Sequence, residues 1–444
     1  MPFQSGCPRP TPVCPSGVSA REAGRRWQYL AVLASYLGRV AMRLLLCCAM
    51  SAGLFLSACS ATQPVRPDKA GSIAPTQNVV VIRGLEGEGD VQRAPPAVVR
   101  RLEVEERNNR YLSRLQAVEP PDLHVRVVDV GQGLCVVGLT AEGYTFLVDS
   151  GHWIGNACAD GVDRLLPDMG LSMVVLTHSD GDHLGNLPLI LESREVGTLL
   201  WTGYTPPHCT HVGASGCTTF FNAREAIGEV AADQSSVLNL KTTPLASGQV
   251  FELGEVEITF LAGWHEFPDV GQMSPSEISN AVSIMVRISH GGRSILVTGD
   301  AIGRPLRGSD DETCTGSEGW AVENVEADLL SADVLIASHH GGNNGSAKCF
   351  ITAVAPEFVI FSAGGGHGHP HRETVARFLA AGIPEAHLLR TDRGSNSASD
   401  AEEGEWAETS VPACGDKSKD DDIDILFGSD GGITTSYVEP NRCE

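Results

Sequence analysis

The sequence predicts an α+β protein in which two β-sheets are packed face to face and covered by helices on the outside. Short apolar runs typical of buried strands occur in two groups, at residues 123–176 and 249–362. Helical segments follow each group instead of alternating with single strands, so the pattern does not indicate a run of βαβ units. A cluster of His and Asp closes a strand in both halves, which predicts a site at the edges of the sheets.

The first group opens the globular unit near Leu123. Polar and apolar residues alternate over much of 124–130, which predicts a strand, and Gly131-Gln132-Gly133 predicts the turn that follows it. Two further strands are predicted at residues 134–139 and 145–148. Three helices are predicted after this group, at residues 161–169, 187–193 and near 223–232.

The stretch from residue 177 to residue 185, with the sequence THSDGDHLG, is the most informative part of the chain. The apolar run at residues 173–176 leads into it, which predicts a buried strand that ends in a turn. Imidazole suits zinc and similar ions, and carboxylate suits harder ions. An exposed polar loop is the alternative, but four ligand-type residues directly after an apolar strand favour a metal site. The candidates are His178, Asp180, Asp182 and His183.

The second half repeats the arrangement of strands that end in polar residues. Strands are predicted at residues 249–253, 256–260, 282–288, 294–297, 334–337 and 358–362. Candidate site residues follow the last three of these strands: Asp300, then His339 and His340, then His367 and His369. The glycine-rich loop at residues 363–370 lacks the Gly-x-Gly-x-x-Gly spacing of a phosphate-binding loop, so its histidines are the more informative feature.

Length, charge and cysteine content limit the class of protein. A chain of 444 residues has room for one large domain or two small ones. Its net charge of −23 disfavours unselective binding to nucleic acid. The 13 cysteines, with no CxxC pair, indicate an oxidising compartment.

Individual cysteines have different predicted states. Cys209 and Cys217 form the best candidate disulfide, and a zinc site that also uses His208 and His211 is the alternative. Cys135 lies inside a predicted strand and is expected to be a buried free thiol. The remaining candidates for pairing, with connectivity left open, are Cys158, Cys314, Cys349, Cys414 and Cys443.

Residues 1–59 resemble a bacterial lipoprotein signal region. Met42-Arg43 supplies a charged start, and a short apolar run leads to Leu56-Ser57-Ala58-Cys59, which is similar to a lipobox. The run is short for a membrane span. We therefore expect translation to start at Met42 and Cys59 to carry the lipid. Ser60 after this cysteine implies the outer membrane, so the protein is expected to be lipid-anchored in the cell envelope and to face the periplasm.

The rest of the chain is predicted to form a tether, one catalytic domain and a terminal extension. Residues 60–120 are the tether, with one charged helix near its end, and residues 121–394 are the domain. Residues 395–422 are polar and acidic and are expected to be a disordered insertion. Residues 423–444 are expected to form a terminal β-hairpin.

Taken together, the motifs resemble the metallo-β-lactamase fold. The matching residues, in the usual order, are Asp149-Ser150-Gly151, the cluster from His178 to His183, Gly299-Asp300 and His339. The chain is more narrowly similar to the extracellular hydrolase-like domain of the ComEC-type competence channel. That resemblance rests on Asp129-Val130-Gly131-Gln132-Gly133, on Asp180 where most of the superfamily has His, on His339-His340-Gly341, on Gly368-His369-Pro370 and on residues 390–394. The chain shows no multi-span membrane portion, so we expect a lipoprotein relative of the channel.

The resemblance implies an αββα sandwich with a site for two divalent ions, Zn or Mn. His178 and Asp180 would bind one ion, and Asp182, His183 and His339 the second. Asp300 would bridge the two ions, and Asp149 would orient a ligand. The third His expected in the superfamily is replaced by Asn280, a weak ligand or substrate contact. His340 and His367 are expected to lie beside the metal ligands or to contact substrate.

The implied reaction is hydrolysis by a metal-activated hydroxide that Asp182 orients, with His369 as the proton donor. A phosphodiester or related phosphate ester, including DNA, is the expected substrate. β-Lactam or lactone hydrolysis and a non-catalytic metal-binding envelope lipoprotein are the alternatives. The expected partners are the membrane, through the lipid anchor, and the phosphoester or nucleic-acid substrate. No stable protein partner is predicted.

Overall fold

The structure is a computed structural model that describes residues 121–232, 236–271, 273–304, 314–364, 367–391 and 421–438. The predicted signal region with Cys59, the tether at 60–120 and most of the insertion at 395–422 lie outside these residues. None of the helices in the described segments combines the length and apolar composition that are needed to cross a bilayer.

The described residues form fifteen strands and nine α-helices. In chain order the strands are β1 (Leu123–Val127), β2 (Val136–Thr140), β3 (Thr145–Val148), β4 (Leu171–Leu176), β5 (Val196–Trp201), β6 (Ser236–Asn239), β7 (Gln249–Leu253), β8 (Val256–Ala262), β9 (Met285–His290), β10 (Arg293–Val297), β11 (Val334–Ile336), β12 (Phe358–Phe361), β13 (Leu388–Arg390), β14 (Ile423–Phe427) and β15 (Ile433–Tyr437). The helices are α1 (Ala157–Leu165), α2 (Gly181–Leu184), α3 (Leu187–Ser193), α4 (Thr218–Ala232), α5 (Pro275–Ala281), α6 (Gly316–Asn324), α7 (Ala327–Leu330), α8 (Lys348–Val354) and α9 (Arg372–Ala380).

The strands form two mixed sheets. The first has the order β15-β14-β1-β2-β3-β4-β5-β6, and the second has the order β13-β12-β11-β10-β9-β8-β7. Strands β3 to β6 are parallel, and so are β10 to β13, whereas the remaining pairs are antiparallel. Parallel strands end at the same edge of a sheet, so each sheet has one edge where several carboxyl ends meet.

Three apolar cores separate four layers, which confirms the predicted αββα sandwich. On β4, Met173 and Val175 belong to the core between the two sheets, whereas Val174 and Leu176 pack against the outer helices. Both faces of this strand are therefore buried, which explains its continuous apolar sequence. A third core, which includes Phe350 on α8, covers the outer face of the second sheet.

The terminal hairpin belongs to the first sheet. Strand β14 pairs with β1 along its whole length, and Leu123 lies opposite Phe427. Asp421 and Asp422, the last two residues of the predicted insertion, are buried. An Asp422 carboxylate oxygen accepts a hydrogen bond from the Asp129 backbone N–H at 2.9 Å. The sandwich therefore includes the terminal strands as well as the predicted domain at residues 121–394.

The prediction of a Cys209–Cys217 disulfide is confirmed, and the prediction of a free thiol at Cys135 is wrong, whereas Cys314–Cys349 is one of the pairings that the sequence left open. Cys209 is bonded to Cys217, and Cys314 to Cys349. Cys135, predicted as a free thiol, is bonded to Cys158, with 5.8 Å between the Cα atoms. Strand periodicity predicted that Cys135 would be buried, but it could not show that α1 places another cysteine against the same face of the sheet.

Candidate metal centre

The candidate site lies where strands from both sheets end. In the first sheet, β3 ends directly before Asp149, and β4 ends shortly before His178. In the second sheet, β10 ends shortly before Asp300, and β11 ends shortly before His339. We call residues 177–185 the first ligand loop and residues 338–347 the second ligand loop.

Asp149 holds the first ligand loop from its buried side. Its Oδ1 accepts a hydrogen bond from the backbone N–H of Thr177 at 2.7 Å, and its Oδ2 accepts one from the Thr177 hydroxyl at 2.6 Å. The same Oδ2 lies 2.6 Å from Nδ1 of His183. A proton held on Nδ1 in this way leaves Nε2 to face the centre, as metal ligation by histidine requires.

Two further side chains lie close to the Nε2 atom of His183. It lies 3.1 Å from Oδ1 of Asp300 and 3.2 Å from Nε2 of His340. The His340 Nε2 lies 3.4 Å from the same Asp300 oxygen and 3.6 Å from Oδ2 of Asp182. Asp182, His183 and His340 each offer an atom within 4.8 Å of the others, so this group can hold a metal ion.

The other oxygen of Asp300 faces a second group of side chains. Its Oδ2 lies 3.6 Å from Nε2 of His339 and 3.8 Å from Nε2 of His178. The His178 Nε2 is also 3.8 Å from Oδ2 of Asp180. His178, His183 and Asp300 form a second group of atoms within 4.8 Å of one another. Asp300 thus lies between two groups of ligand-type atoms.

Asn280 lies at the end of α5, beside this second group. Its amide fits its surroundings best with the oxygen 3.2 Å from Nε2 of His339 and the nitrogen 3.2 Å from Oδ2 of Asp180. The hydroxyl of Ser279 donates a hydrogen bond to the other oxygen of Asp180. The position where the superfamily pattern predicts a third His is therefore occupied by an amide that contacts two candidate ligands.

The second ligand loop presents two consecutive histidines in an unusual backbone conformation. His339 and His340 have φ values of 51° and 57°, in the left-handed region that residues with a Cβ atom rarely adopt. Each ring is oriented through its Nδ1 atom. The partner of His339 is Oδ1 of Asn344 at 2.6 Å, and that of His340 is the carbonyl of Ser362 at 2.8 Å. Both Nε2 atoms consequently face Asp300.

Opposite charges perturb the buried groups strongly. Burial, and then the charge of His183, lower the pKa of His178 to about 4. Burial would lower the pKa of His183, but the negative charges of Asp300 and Asp149 and the hydrogen bonds to them together outweigh burial and raise that pKa well above its usual value. Burial would raise the pKa of Asp300, but the charges of His340 and His183 hold it well below its usual value. Burial raises the pKa of Asp180 to about 6.

Two buried polar atoms at this centre lack a hydrogen-bond partner among the described residues. They are Nε2 of His178 and Oδ1 of Asp300. An unpaired buried polar atom is costly, and coordination of a cation would satisfy both atoms. Imidazole nitrogens and carboxylate oxygens also form a donor set typical of divalent metal sites. The residues therefore fit bound divalent metal.

A comparison with known families decides what this arrangement is. The profile described as the Metallo-beta-lactamase superfamily matches residues 128–365, more than half of the chain. The chain belongs to the metallo-beta-lactamase superfamily. The coarse part of the expectation, a hydrolase of this superfamily with a site for divalent metal, is thereby confirmed.

Two curated proteins are similar to the chain over 288 residues. The competence protein ComA of Neisseria gonorrhoeae is 28% identical over 63% of this chain, and the ComE operon protein 3 of Bacillus subtilis (strain 168) is 24% identical over 61%. The match spans only 32% of the length of each relative. The predicted resemblance to competence proteins is confirmed at this modest identity.

Two solved structures are similar at low identity. A mutant of the β-hydroxylase CmlA has a TM-score of 0.36 and 15% identity, and the match covers 65% of this chain and 58% of that one. A metallo-β-lactamase from Hirschia baltica has a TM-score of 0.29 and 15% identity, with 53% of this chain and 93% of that one covered.

In this metallo-beta-lactamase-superfamily site, His369 lies beside both histidines of the second ligand loop. Its ring centre is 5.5 Å from that of His339 and 6.0 Å from that of His340. The side-chain amide nitrogen of Gln132 lies 3.3 Å from Nδ1 of His369. His367 is exposed, with its ring centre 6.0 Å from that of His369. His369 therefore lines the centre, and His367 lies at its rim.

The structure thus brings together nearly all of the residues that the sequence singled out. Its main difference from expectation is that His340 faces Asp182 and His183, whereas His339 faces the His178 side. The contacts that Asn344 and Gln132 make at the site were not predicted from the sequence. Gln132 belongs to a recognised motif, but Asn344 carries no signal, because its contact with a ligand depends on the conformation of the loop.

Proposed function

We propose that the chain is a two-metal phosphodiesterase of the cell envelope. The observation that carries the proposal is the position of Asp300, whose two oxygens face two different groups of ligand-type side chains. A bridging carboxylate between two ions suits the displacement of one oxygen by another at phosphorus. Zinc and manganese both suit this mixture of nitrogen and oxygen ligands.

The distances support one assignment of the ligands. The first ion would be held by His178, Asp180, His339 and Oδ2 of Asp300. The second would be held by Asp182, His183, His340 and Oδ1 of Asp300. His340 thereby joins the ligands in addition to the residues that the sequence predicted. Replacing His340 by Ala should lower the metal content as much as replacing His183 does, which elemental analysis of the purified variants would measure.

In this proposal two side chains act on the attacking water and on the leaving oxygen. Bound divalent ions would activate water and stabilise the negative charge that develops on the phosphate oxygens. Asp182 is half-buried, so its carboxylate can orient the attacking water from the open side of the site. Burial, and then the charges of His340 and His339, hold the pKa of His369 well below its usual range. With Gln132 at Nδ1, the neutral ring offers Nε2–H as a hydrogen-bond donor to the leaving oxygen.

Charge and exposed apolar residues support a short substrate that carries a ring. The net charge of −23 disfavours a long polyanion. Trp153 and Ile154 are 54% and 62% exposed, although hydrogen bonds from the Asn186 amide to the carbonyls of His152 and Gly155 hold their loop. A Cβ atom on Gly181 would lie 2.9 Å from the Trp153 ring, so the indole lies against the first ligand loop. An aromatic surface in this position can stack on an aryl or nucleobase group.

The envelope location rests on the sequence and on the disulfides. Three disulfides among the described residues suit an oxidising compartment. The lipobox-like tetrad and Ser60 support a lipid anchor at Cys59, in the outer membrane and facing the periplasm. Replacing Cys59 by Ser should release the protein from the membrane fraction, and continued sedimentation with membranes would contradict the anchor.

Hydrolysis of bis-p-nitrophenyl phosphate and of single-stranded DNA tests the proposal. The full chain would be loaded with zinc or manganese and compared with Asp182→Ala. Asp160→Ala, at an exposed position on α1, is the matched control. We expect turnover of the small diester by wild type and by the control, and its loss in Asp182→Ala.

The pattern of substrates separates the remaining possibilities. Turnover of both substrates would make the chain a nuclease, and turnover of the small ester alone would favour a small envelope molecule. Absence of both activities in a protein that retains metal would contradict a phosphodiesterase. β-Lactam or lactone hydrolysis and a non-catalytic metal-binding role would then be the functions to examine.

A further inference from the structure

The second ligand loop needs support from outside itself to keep its conformation. Besides His339 and His340, Ser346 has a φ of 53°. This region of φ is unfavourable for a residue with a Cβ atom. A free loop would relax out of such a conformation, so groups around the loop must stabilise it.

Glu318 on α6 binds the backbone N–H groups at one end of this loop. Its side chain is completely buried. One carboxylate oxygen accepts a hydrogen bond from the Ser346 N–H at 2.7 Å, and the other accepts one from the Ala347 N–H at 2.8 Å. The carboxylate also lies so close to Gly303 that a Cβ atom there would be 1.7 Å from Oε2. Glycine is therefore required at residue 303 for this approach.

Arg377 on α9 binds the carbonyl groups of the same segment. Its guanidinium is 8% exposed and donates to the carbonyl of Ser346 at 3.0 Å and to that of Gly345 at 2.7 Å. A third hydrogen bond reaches the carbonyl of Asn343 at 3.3 Å. Charged donors and acceptors make stronger hydrogen bonds than neutral ones, and burial strengthens them further.

The segment between these two charged groups orients a candidate ligand. Asn344 is 1% exposed and places its side-chain oxygen 2.6 Å from Nδ1 of His339. The Cys314–Cys349 disulfide joins the residues next to α6 to α8, directly after the loop. Glu318 makes polar contacts with Ser338, Ser346 and Ala347, and among the described residues its carboxylate has no hydrogen bond to an Nε2 atom of the metal centre.

We propose that Glu318 and Arg377 are positioning residues that hold the second ligand loop in its left-handed conformation and so set the affinity of His339 and His340 for divalent metal. Glu318 binds the N–H side and Arg377 the C=O side of residues 343–347. Neither residue contacts substrate. This inference rests on the proposed function only for its consequence in catalysis, because it concerns the binding of metal.

Metal affinity and histidine spectra of matched variants test this inference. Glu318→Gln and Arg377→Lys keep the size of the side chain but remove a charge or the forked guanidinium. Asp424→Asn is the control, because Asp424 forms a partly buried pair with Arg126, at 2.7 and 2.9 Å, on the first sheet. Zinc affinity would be measured by competition with a chelating dye, unfolding by urea, and imidazole ¹⁵N shifts by NMR in metal-free protein.

We expect Glu318→Gln and Arg377→Lys to bind zinc roughly 10–100-fold more weakly, the usual effect of removing a group that orients a ligand. The ¹⁵N shifts of His339 and His340 should change in both variants. Asp424→Asn should lose a similar amount of stability without either change. If Glu318→Gln does not fold, the results for Arg377→Lys decide the test.

Unchanged zinc affinity and unchanged shifts in folded variants would overturn the inference and leave the pair a purely stabilising role. A wild-type protein that binds no zinc would overturn it as well. A wild-type protein that binds zinc but hydrolyses no phosphodiester would contradict the proposed function alone, because the inference depends on affinity and spectra.

Discussion

The two ligand loops deliver similar side chains to one centre in different ways. The first has its four candidate ligands within six residues, and Asp149, at the end of the neighbouring strand, bonds directly to the loop. The second has two histidines in left-handed conformation, and two charged side chains on helices α6 and α9 bind its backbone. One site thus combines a loop held by a residue that also contacts a candidate ligand with a loop whose backbone is held by two helix residues.

This difference determines how each loop should respond to change. Asp149, which holds the first loop, also contacts His183, so its loss acts on ligation immediately. A residue that supports the second loop acts through backbone conformation, so its effect depends on how far the loop can relax.

Asp300 contacts candidate ligands from both loops, and its replacement should have the largest effect on turnover and metal content. We expect Asp300→Asn to reduce turnover by roughly a thousandfold or more, equivalent to about 4 kcal/mol in the barrier. Its metal content should also fall, because both groups of ligands lose a carboxylate oxygen. Elemental analysis and initial rates would measure this, with Asp160→Asn as the exposed control. Retention of full metal content would contradict the bridging position.

Asp149 tests the first loop alone. Asp149→Asn removes the negative charge of the carboxylate that accepts hydrogen bonds from Thr177 and His183. We expect zinc affinity to fall roughly 10–100-fold. The ¹⁵N shift of His183 should change while that of His339 stays as in wild type. Equal changes in both histidines would show that the two loops are not supported independently.

Metal binding should release protons and strengthen as pH rises. His183 and His340 both have a raised pKa, because the charge of Asp300, together with Asp149 for His183 and Asp182 for His340, outweighs the effect of burial. Each therefore tends to be protonated near neutral pH in metal-free protein, and a ligating imidazole must be neutral. For every proton that the metal displaces from a histidine, zinc affinity should rise up to about tenfold per pH unit, at pH values below the pKa of that histidine. Calorimetry in buffers of different ionisation enthalpy would count the protons, and a count of zero would contradict the assignment.

Removal of a disulfide should have a smaller effect on zinc binding, and the effect should differ between the two disulfides. Replacing Cys314 and Cys349 by Ser should lower the free energy of unfolding by about 2–4 kcal/mol. It should also weaken zinc binding severalfold, because this disulfide adjoins the second loop. Replacing Cys209 and Cys217 should lower stability with little effect on zinc. If both replacements weakened zinc binding equally, the Cys314–Cys349 disulfide would have no special role in supporting the second loop.

Trp153 should affect the substrate and not the metal. Stacking on an aromatic side chain contributes on the order of 1 kcal/mol, so Trp153→Ala should raise KM a few-fold for an aryl diester. The same variant should leave dimethyl phosphate hydrolysis and zinc affinity as in wild type. Trp153→Phe should retain most of the effect. An equal loss on both substrates would argue against stacking.

Sequence alone predicted the parts of the fold that depend on local pattern. The strands at residues 145–148 and 249–253 and the helix at 187–193 have the predicted bounds. The strand predicted at 282–288 begins only at Met285, because the apolar residues before it close helix α5. A continuous apolar run does not distinguish a strand from the buried end of a helix.

At the site, prediction succeeded where the ligands are close in sequence. The cluster from His178 to His183 follows one strand, so its residues could be recognised together. The different directions of His339 and His340 follow from two left-handed residues, and nothing in a His-His pair predicts them. Glu318 is an ordinary helical glutamate in the sequence, and only the tertiary structure places it beneath the loop.

The pairing of β14 with β1 has a consequence for how the protein folds during synthesis or export. Arg126 and Asp424, which meet across these strands, are 298 residues apart in the chain. The edge of β1 therefore stays unpaired until the last strands emerge, and such long-range pairing is slow and exposes an edge to aggregation. Asp422, which bonds to Asp129 in the motif that contains Gln132, arrives equally late. Chains that stop before residue 421 would leave this edge open and are expected to need a chaperone or to be degraded.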